Sequence, residues 1–164
     1  IIELGERLEI TGKYDPATLG SALHAVIATT ILGQNATHRV LRDHDMHNTI
    51  SVEAADDSAK RLIDRLDERF TPLHYYTEFP LYYTTDDGQV VSGWIDLLVE
   101  TPEGFVLIDH KASPRARSDW EEIALGYSGQ LEAYSEGISR ATGKPVASRW
   151  IHFAVTGGMV EVVV

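Results

Sequence analysis

No cysteine occurs among the 164 residues. That one absence excludes disulfides, cysteine-ligated zinc and iron–sulphur clusters, so any bound metal has to be held by His, Asp, Glu or carbonyl oxygens. It also fits a reducing, cytoplasmic setting. No apolar run approaches the roughly 18 residues of a membrane span, and no charged-then-apolar leader opens the chain, so a soluble protein without a membrane partner is expected. Basic residues are scarce. Fourteen Lys and Arg stand against 25 Asp and Glu, a net charge of −11, the wrong sign for a chain that grips nucleic acid through its phosphates alone. What remains is ordinary: 43% hydrophobic and 24% charged residues, in a length that suits one domain with one core, residues 1–164. Residue 1 is Ile and the first ten residues already read as structured, which suggests a domain cut from a longer polypeptide.

Asp15-Pro16 places an N-cap and a proline at the first position of a helix, carried by Leu19, Leu23, Ile27 and Ile31 and stopped at Gly33. A polar, His-rich stretch follows from Thr37 to Asn48. Val52, Ala55, Ala59, Leu62, Ile63, Leu66 and Phe70 then mark a long amphipathic helix ended by Thr71-Pro72. Three strand-like runs come next, His74 to Thr84, Gln89 to Glu100 and Gly104 to Lys111, joined by hairpin turns at Asp86-Asp87-Gly88 and Thr101-Pro102-Glu103-Gly104. After a basic loop, Ser113 to Arg117, the spacing of Tyr127, Leu131, Tyr134 and Ile138 predicts a helix closed by Gly143. Arg149 to Val155 and Met159 to Val164 read as strands around Thr156-Gly157-Gly158. This order predicts a mixed α/β layer fold.

The third run carries the chemistry. Phe105, Leu107, Asp109 and Lys111 share one face because strand side chains alternate. An even-numbered turn sets Glu100 opposite Phe105 and therefore Asp96 opposite Asp109, two carboxylates with Cβ atoms about 4.5–5.5 Å apart, a destabilising pair unless a hard cation such as Mg²⁺ compensates. If Asp86-Asp87-Gly88 is a three-residue loop with Gly88 left-handed, Glu78 lies opposite Asp96 and joins that face; a two-residue loop turns Glu78 away.

Gly93-Trp94-Ile95-Asp96, Ile108-Asp109-His110-Lys111 and Gln130-Leu131-Glu132-Ala133-Tyr134 together resemble the G-x-x-D, D-x-K and Q-x-x-x-Y series of RecB- and AddA-type PD-(D/E)XK nucleases. Gly20-Ser21-Ala22-Leu23-His24 resembles that family's upstream G-x-x-x-H element, and Glu78-Phe79-Pro80 its acidic strand motif. The resemblance runs from about Leu19 to Tyr134. It implies a restriction-endonuclease-like αβββαβ core, with a mixed, centrally antiparallel sheet flanked by helices. It also implies an Mg²⁺-dependent deoxyribonuclease, with Mn²⁺ able to substitute and no iron–sulphur cluster. Metal ligands would be His24, Asp96, Asp109 and the backbone carbonyl of His110; Lys111 would be the catalytic lysine, with Asp96, Asp109 and Glu78 as catalytic acids. Gln130, Tyr134, Arg115 and Arg117 would position DNA. The expected protein is an exonuclease acting in DNA repair, the C-terminal nuclease part of a helicase–nuclease whose fused or associated helicase supplies the grip on DNA. Two alternatives remain: a freestanding phage-type exonuclease, and a non-catalytic domain of the same fold that only guides a strand. Asp43-His44-Asp45-Met46-His47, with His38, would suit a zinc or HD-phosphohydrolase site but lies in a polar loop without a downstream partner. Thr11-Gly12-Lys13 and Thr142-Gly143-Lys144 lack the upstream Gly of a phosphate loop, so no ATP site is indicated.

Overall fold

The computed structural model describes residues 1–164. Strand β1 (Ile2–Glu3) is followed by helices α1 (Pro16–Ile31), α2 (Thr37–Asp43) and α3 (Val52–Phe70). Then come β2 (His74–Thr84), β3 (Val90–Thr101), β4 (Gly104–Lys111), α4 (Trp120–Leu125), α5 (Ser128–Thr142), β5 (Val146–Phe153) and β6 (Gly158–Glu161). One six-stranded sheet has the order β1-β6-β5-β4-β3-β2. Only β4 and β5 run parallel, because their connection is a crossover through α4 and α5 rather than a hairpin. No helix is long and apolar enough to cross a membrane.

Local chemistry accounts for the helices. Asp15 accepts from the Thr18 amide at 2.9 Å and Pro16 opens α1, while Ser51 caps α3 through the Ala54 amide at 3.1 Å. Three elements go beyond the pattern in the sequence. Part of the stretch expected to be a polar loop is helical as α2, because Val40, Leu41 and the following Met46 are buried against α1 and α3. Strand β1 and helix α4 are too short to show a period. Trp120 of α4 nonetheless anchors its side of the sheet, stacking on Phe153 with centroids 5.3 Å apart.

The sheet separates two apolar clusters. Residues from α1, α2 and α3 pack on one face with Val106, Ile108 and Trp150. Residues from α4 and α5 pack on the other with Phe105, Leu107, Ile151 and Phe153. Strands β4 and β5 alternate regularly between these clusters, as strands buried on both faces must. Strands β2 and β3 do not. Tyr75 packs toward α1–α3 and Tyr76 toward α4–α5, yet Phe79, Leu81 and Tyr83 all face α4–α5. On β3, Ile95 and Leu98 face α4–α5 while Leu97 and Val99 face α1–α3. The side-chain phase therefore changes between residues 76 and 79 and between residues 95 and 97. At that place the ladder pairs Thr77 with Leu97 and Phe79 with Ile95 but skips Glu78 and Asp96, and Glu78 has φ +50°. A left-handed non-glycine residue inside a strand costs on the order of 1–3 kcal/mol, and here it marks the edge of the candidate site.

Candidate active site

The three-strand meander builds the site by coming apart. Glu100 pairs with Phe105 and Leu97 with Ile108, the expected register, and the two-residue turn Pro102-Glu103 sets it. Beyond Leu97 and Ile108 the β3–β4 ladder stops. The His110 amide, which would have continued it, donates to Asp96 Oδ2 at 2.8 Å. A side-chain carboxylate thus replaces a backbone acceptor, and the gap it opens is where α1 brings His24. The face-to-face pair of acids expected from strict alternation is corrected here: Asp96 turns toward α1, while Asp109 stays on the α4–α5 side with Lys111.

The two acids have different environments. Asp96 Oδ1 lies 3.3 Å from His24 Nδ1, and His24 Nε2 lies 3.2 Å from the His110 carbonyl. Both neighbours of the imidazole are oxygen acceptors, an arrangement that favours the doubly protonated, charged ring. Burial opposes that charge, but the bond to Asp96 and its charge, with the His110 carbonyl, prevail and raise the His24 pKa. For Asp96 burial likewise works upward and is outweighed by the His24 bond, leaving its pKa lowered. Asp109 is the reverse. Burial comes first and the repulsion of Asp96 adds to it, so its pKa is raised in spite of Lys111. Lys111 Nζ is 2.8 Å from Asp109 Oδ2, an ion pair in which the ammonium is the one partner that the buried oxygen meets.

Lys111 is held from a second side, with Nζ 4.0 Å from the centroid of the Tyr127 ring. The sequence marks Tyr127 only as an apolar helix position. Its spacing of three and seven residues from Gln130 and Tyr134 is the signal that it shares their helix face. A cavity of about 660 Å³ opens over these groups, lined by Gly20, Ser21, His24, His110, Lys111, Ser113, Arg115 and Tyr127 among others. Asp96 and Asp109 do not line the cavity; each adjoins a residue that does, Asp96 beside His24 and Asp109 beside Lys111. Below the cavity the buried His110 and His152 rings meet with Nδ1 atoms 2.9 Å apart. One donates and the other accepts, and burial pushes the His110 pKa down to about 4 and that of His152 well below its ordinary value.

The other expected site residues are spread out. Gln130 is exposed and donates from Nε2 to the Tyr134 hydroxyl at 3.1 Å. Tyr134 packs over Gly93: a Cβ there would sit 2.5 Å from its hydroxyl oxygen and 3.2 Å from Cζ. The Gly of the G-x-x-D element is thus explained by close approach of the Tyr of Q-x-x-x-Y. Arg115 lines the cavity and pairs with Asp119 at 2.8 Å, whereas Arg117 pairs with Glu3 of β1 at 2.6 Å and is not part of the lining. The Asp86-Asp87-Gly88 loop has three residues, with Gly88 at φ +87° and Thr85 donating to the Gln89 carbonyl. Glu78 accordingly occupies the register position opposite Asp96, but the pair does not form and Glu78 is exposed.

Whether these residues suit a divalent cation turns on Asp109. Asp109 Oδ2 is buried with Lys111 as its one partner, so lone pairs stay free for a hard cation, and the Asp96 carboxylate and His110 carbonyl offer further oxygens. No group of three or more His, Asp or Glu side chains is already gathered for a metal. The residues fit a hard cation once His24 gives up a proton and turns from its present partners. Around Asp43-His44-Asp45-Met46-His47, His44 Nδ1 is bound to the Val40 carbonyl at 2.8 Å and Met46 is buried.

Similarities to known proteins accompany this geometry. Over 88 residues the chain is 28% identical to an ATP-dependent helicase/nuclease subunit of Levilactobacillus brevis, a match covering 51% of this chain and 7% of that protein. A protein of the same name from Clostridium botulinum strain 657 is 32% identical over 80 residues, 49% of this chain and 6% of that one. A third, from Pelotomaculum thermopropionicum, is 32% identical over 71 residues, 43% and 6%. The matched segments thus cover less than a tenth of the length of these relatives. The PD-(D/E)XK nuclease superfamily profile matches residues 2–163, nearly the whole chain and every strand of the sheet that parts at Asp96 and Asp109, and the chain belongs to that superfamily.

Proposed function

We propose that residues 1–164 form one nuclease domain that hydrolyses DNA phosphodiester bonds with Mg²⁺ or Mn²⁺, as the exonuclease part of a longer helicase–nuclease. The observation that carries this is the buried Asp109 carboxylate paired with Lys111, beside Asp96, at the end of a parted strand pair. Asp96, Asp109, the His110 carbonyl and, after losing a proton, His24 would hold the cation. When bound, the cation supplies Lewis acidity at a phosphate oxygen and makes a nearby water easier to deprotonate.

The chain's own residues do the rest. Lys111, steadied by the Tyr127 ring and Asp109, presents an ammonium to the negative charge that grows on the phosphate as water attacks phosphorus and the ester oxygen departs. Arg115 at the cavity rim can hold a neighbouring phosphate. The −11 charge makes encounter with DNA slow for this part alone, which fits the helicase named in its relatives.

The test is incubation with end-labelled single- and double-stranded DNA in Mg²⁺, Mn²⁺ or EDTA. Cleavage should need metal and should vanish in Lys111→Ala, while that variant still binds Mn²⁺ because the lysine acts on the transition state. The engagement of both His24 nitrogens favours a second reading, a domain that guides a strand without cutting it. DNA binding without cleavage in either metal would establish that reading instead.

A further inference from the structure

The phase change in β2 and β3 has left a face uncovered. Gly93 and Ile95 point toward α5, so Trp94 points the other way, to the side on which Asp96 meets His24. On β2 the same parity turns Tyr82 outward while Leu81 and Tyr83 pack under α5. Trp94 is 66% exposed and Tyr82 73% exposed. The register pairs Pro80 with Trp94 and Tyr82 with Ser92, which makes the two rings diagonal neighbours on one sheet face. Trp94 lies two residues from Asp96 along β3, about 7 Å of strand. They are the only aromatic residues among the exposed large apolar side chains; the others are Ile, Leu or Val.

We infer that Trp94 and Tyr82 form a stacking shelf for unpaired nucleobases of a strand whose scissile phosphate lies at Asp96, Asp109 and Lys111. The inference rests on the reading of that site as a DNA-cleaving centre and names the form of substrate it takes. Continuity decides the occupant: the shelf shares a strand and a face with a catalytic acid, so a strand lying in the site runs directly onto it. Chemistry decides it as well. Pro80, Ser92 and Thr84 around the rings, with the exposed Val90 beyond Ser92 on the same face, do not make the broad aliphatic patch of a protein interface, whereas aromatic faces bind any base. Charge completes the argument, since stacking needs no phosphate neutralisation and gives a chain of net charge −11 a way to hold nucleic acid. A duplex, whose bases are already stacked, gains nothing there.

Trp94 is its own reporter, because Trp120 and Trp150 are buried. A short oligothymidylate added in EDTA should quench the exposed tryptophan fluorescence, with weak salt dependence. An abasic strand of the same length should not. Tyr82→Ala should weaken this binding roughly tenfold, within the range for loss of one stacked base. In cleavage assays with Mn²⁺, Trp94→Ala should raise KM for single strands by a similar factor with little change in kcat, and Trp94→Phe should restore KM. Equal quenching by the abasic strand, or unchanged KM in Trp94→Ala, overturns the shelf even if the protein cleaves DNA. Selective quenching by an oligothymidylate that is never cleaved retains the shelf and rejects the nuclease reading.

Discussion

Replacing Asp96 and Asp109 by Asn, one at a time in EDTA, separates two carboxylates that share a site but not an environment. Asp96 is fully engaged, accepting from the His110 amide at 2.8 Å and facing His24 Nδ1 at 3.3 Å. An Asn has one acceptor where the carboxylate has two, and it carries no charge. Losing one charge-assisted hydrogen bond costs about 1.5–3 kcal/mol. In a chain of this size 1 kcal/mol moves Tm by about 2–4 °C, so Asp96→Asn should melt roughly 3–12 °C below wild type. Asp109 is buried beside Asp96, and its ion pair with Lys111 is set against the cost of taking that carboxylate out of water, while the partly exposed lysine keeps access to solvent when the acid is removed. Its Asn variant loses that pair but no longer buries a charge beside Asp96, so it should melt at or slightly above wild type. Saturating Mn²⁺ should stabilise wild type by mass action and both variants less. Thermal unfolding of the three proteins with EDTA and with Mn²⁺ measures all of this. Equal losses for the two variants in EDTA, or the larger loss for Asp109→Asn, would refute the asymmetry.

Three further outcomes are expected. Gly93→Ala drives a methyl against the Tyr134 hydroxyl end; because that ring is half-buried and can swing, the cost should sit near the low end of the 1–3 kcal/mol typical of overpacking. Chemical denaturation should find most of it relieved in Gly93→Ala/Tyr134→Phe, and additive single effects would show that the two motifs do not touch. Glu78→Gly should gain about 1 kcal/mol by releasing the left-handed backbone at φ +50°, and a loss of stability would mean that its side chain is needed. The buried His110–His152 pair has folded pKa values below the unfolded value, so its contribution is complete above pH 6.5 and is lost as pH falls toward 4. Each such histidine contributes a slope of at most about 1.4 kcal/mol per pH unit, and the raised pKa of His24 acts in the opposite sense. Urea titrations at several pH values should therefore give a shallower acid slope for His152→Phe than for wild type; an identical slope would mean that the buried pair is not what titrates.

The amino-acid order by itself determined the long capped helices, the hairpin turns and the register that sets Glu100 against Phe105, because these rest on contacts between near neighbours and on a period the residues display. It determined the pairing of Asp109 with Lys111 for the same reason: β4 alternates without interruption, and two residues apart means one face. What it could not determine lies where that alternation fails. The phase change at Glu78 and Asp96 arises where two strands part to admit α1, and no residue in either strand announces it, since Glu is an ordinary occupant of a strand and a poor one of the left-handed region. Only the tertiary structure decided that Asp96 turns to His24 while Asp109 stays with Lys111 and Tyr127, and that Trp94 and Tyr82 face outward beside them. The physical reason is distance along the chain: His24, Asp96, Lys111 and Tyr127 meet through three packed layers, and such contacts are settled by how the layers fit rather than by the residues on either side of each one.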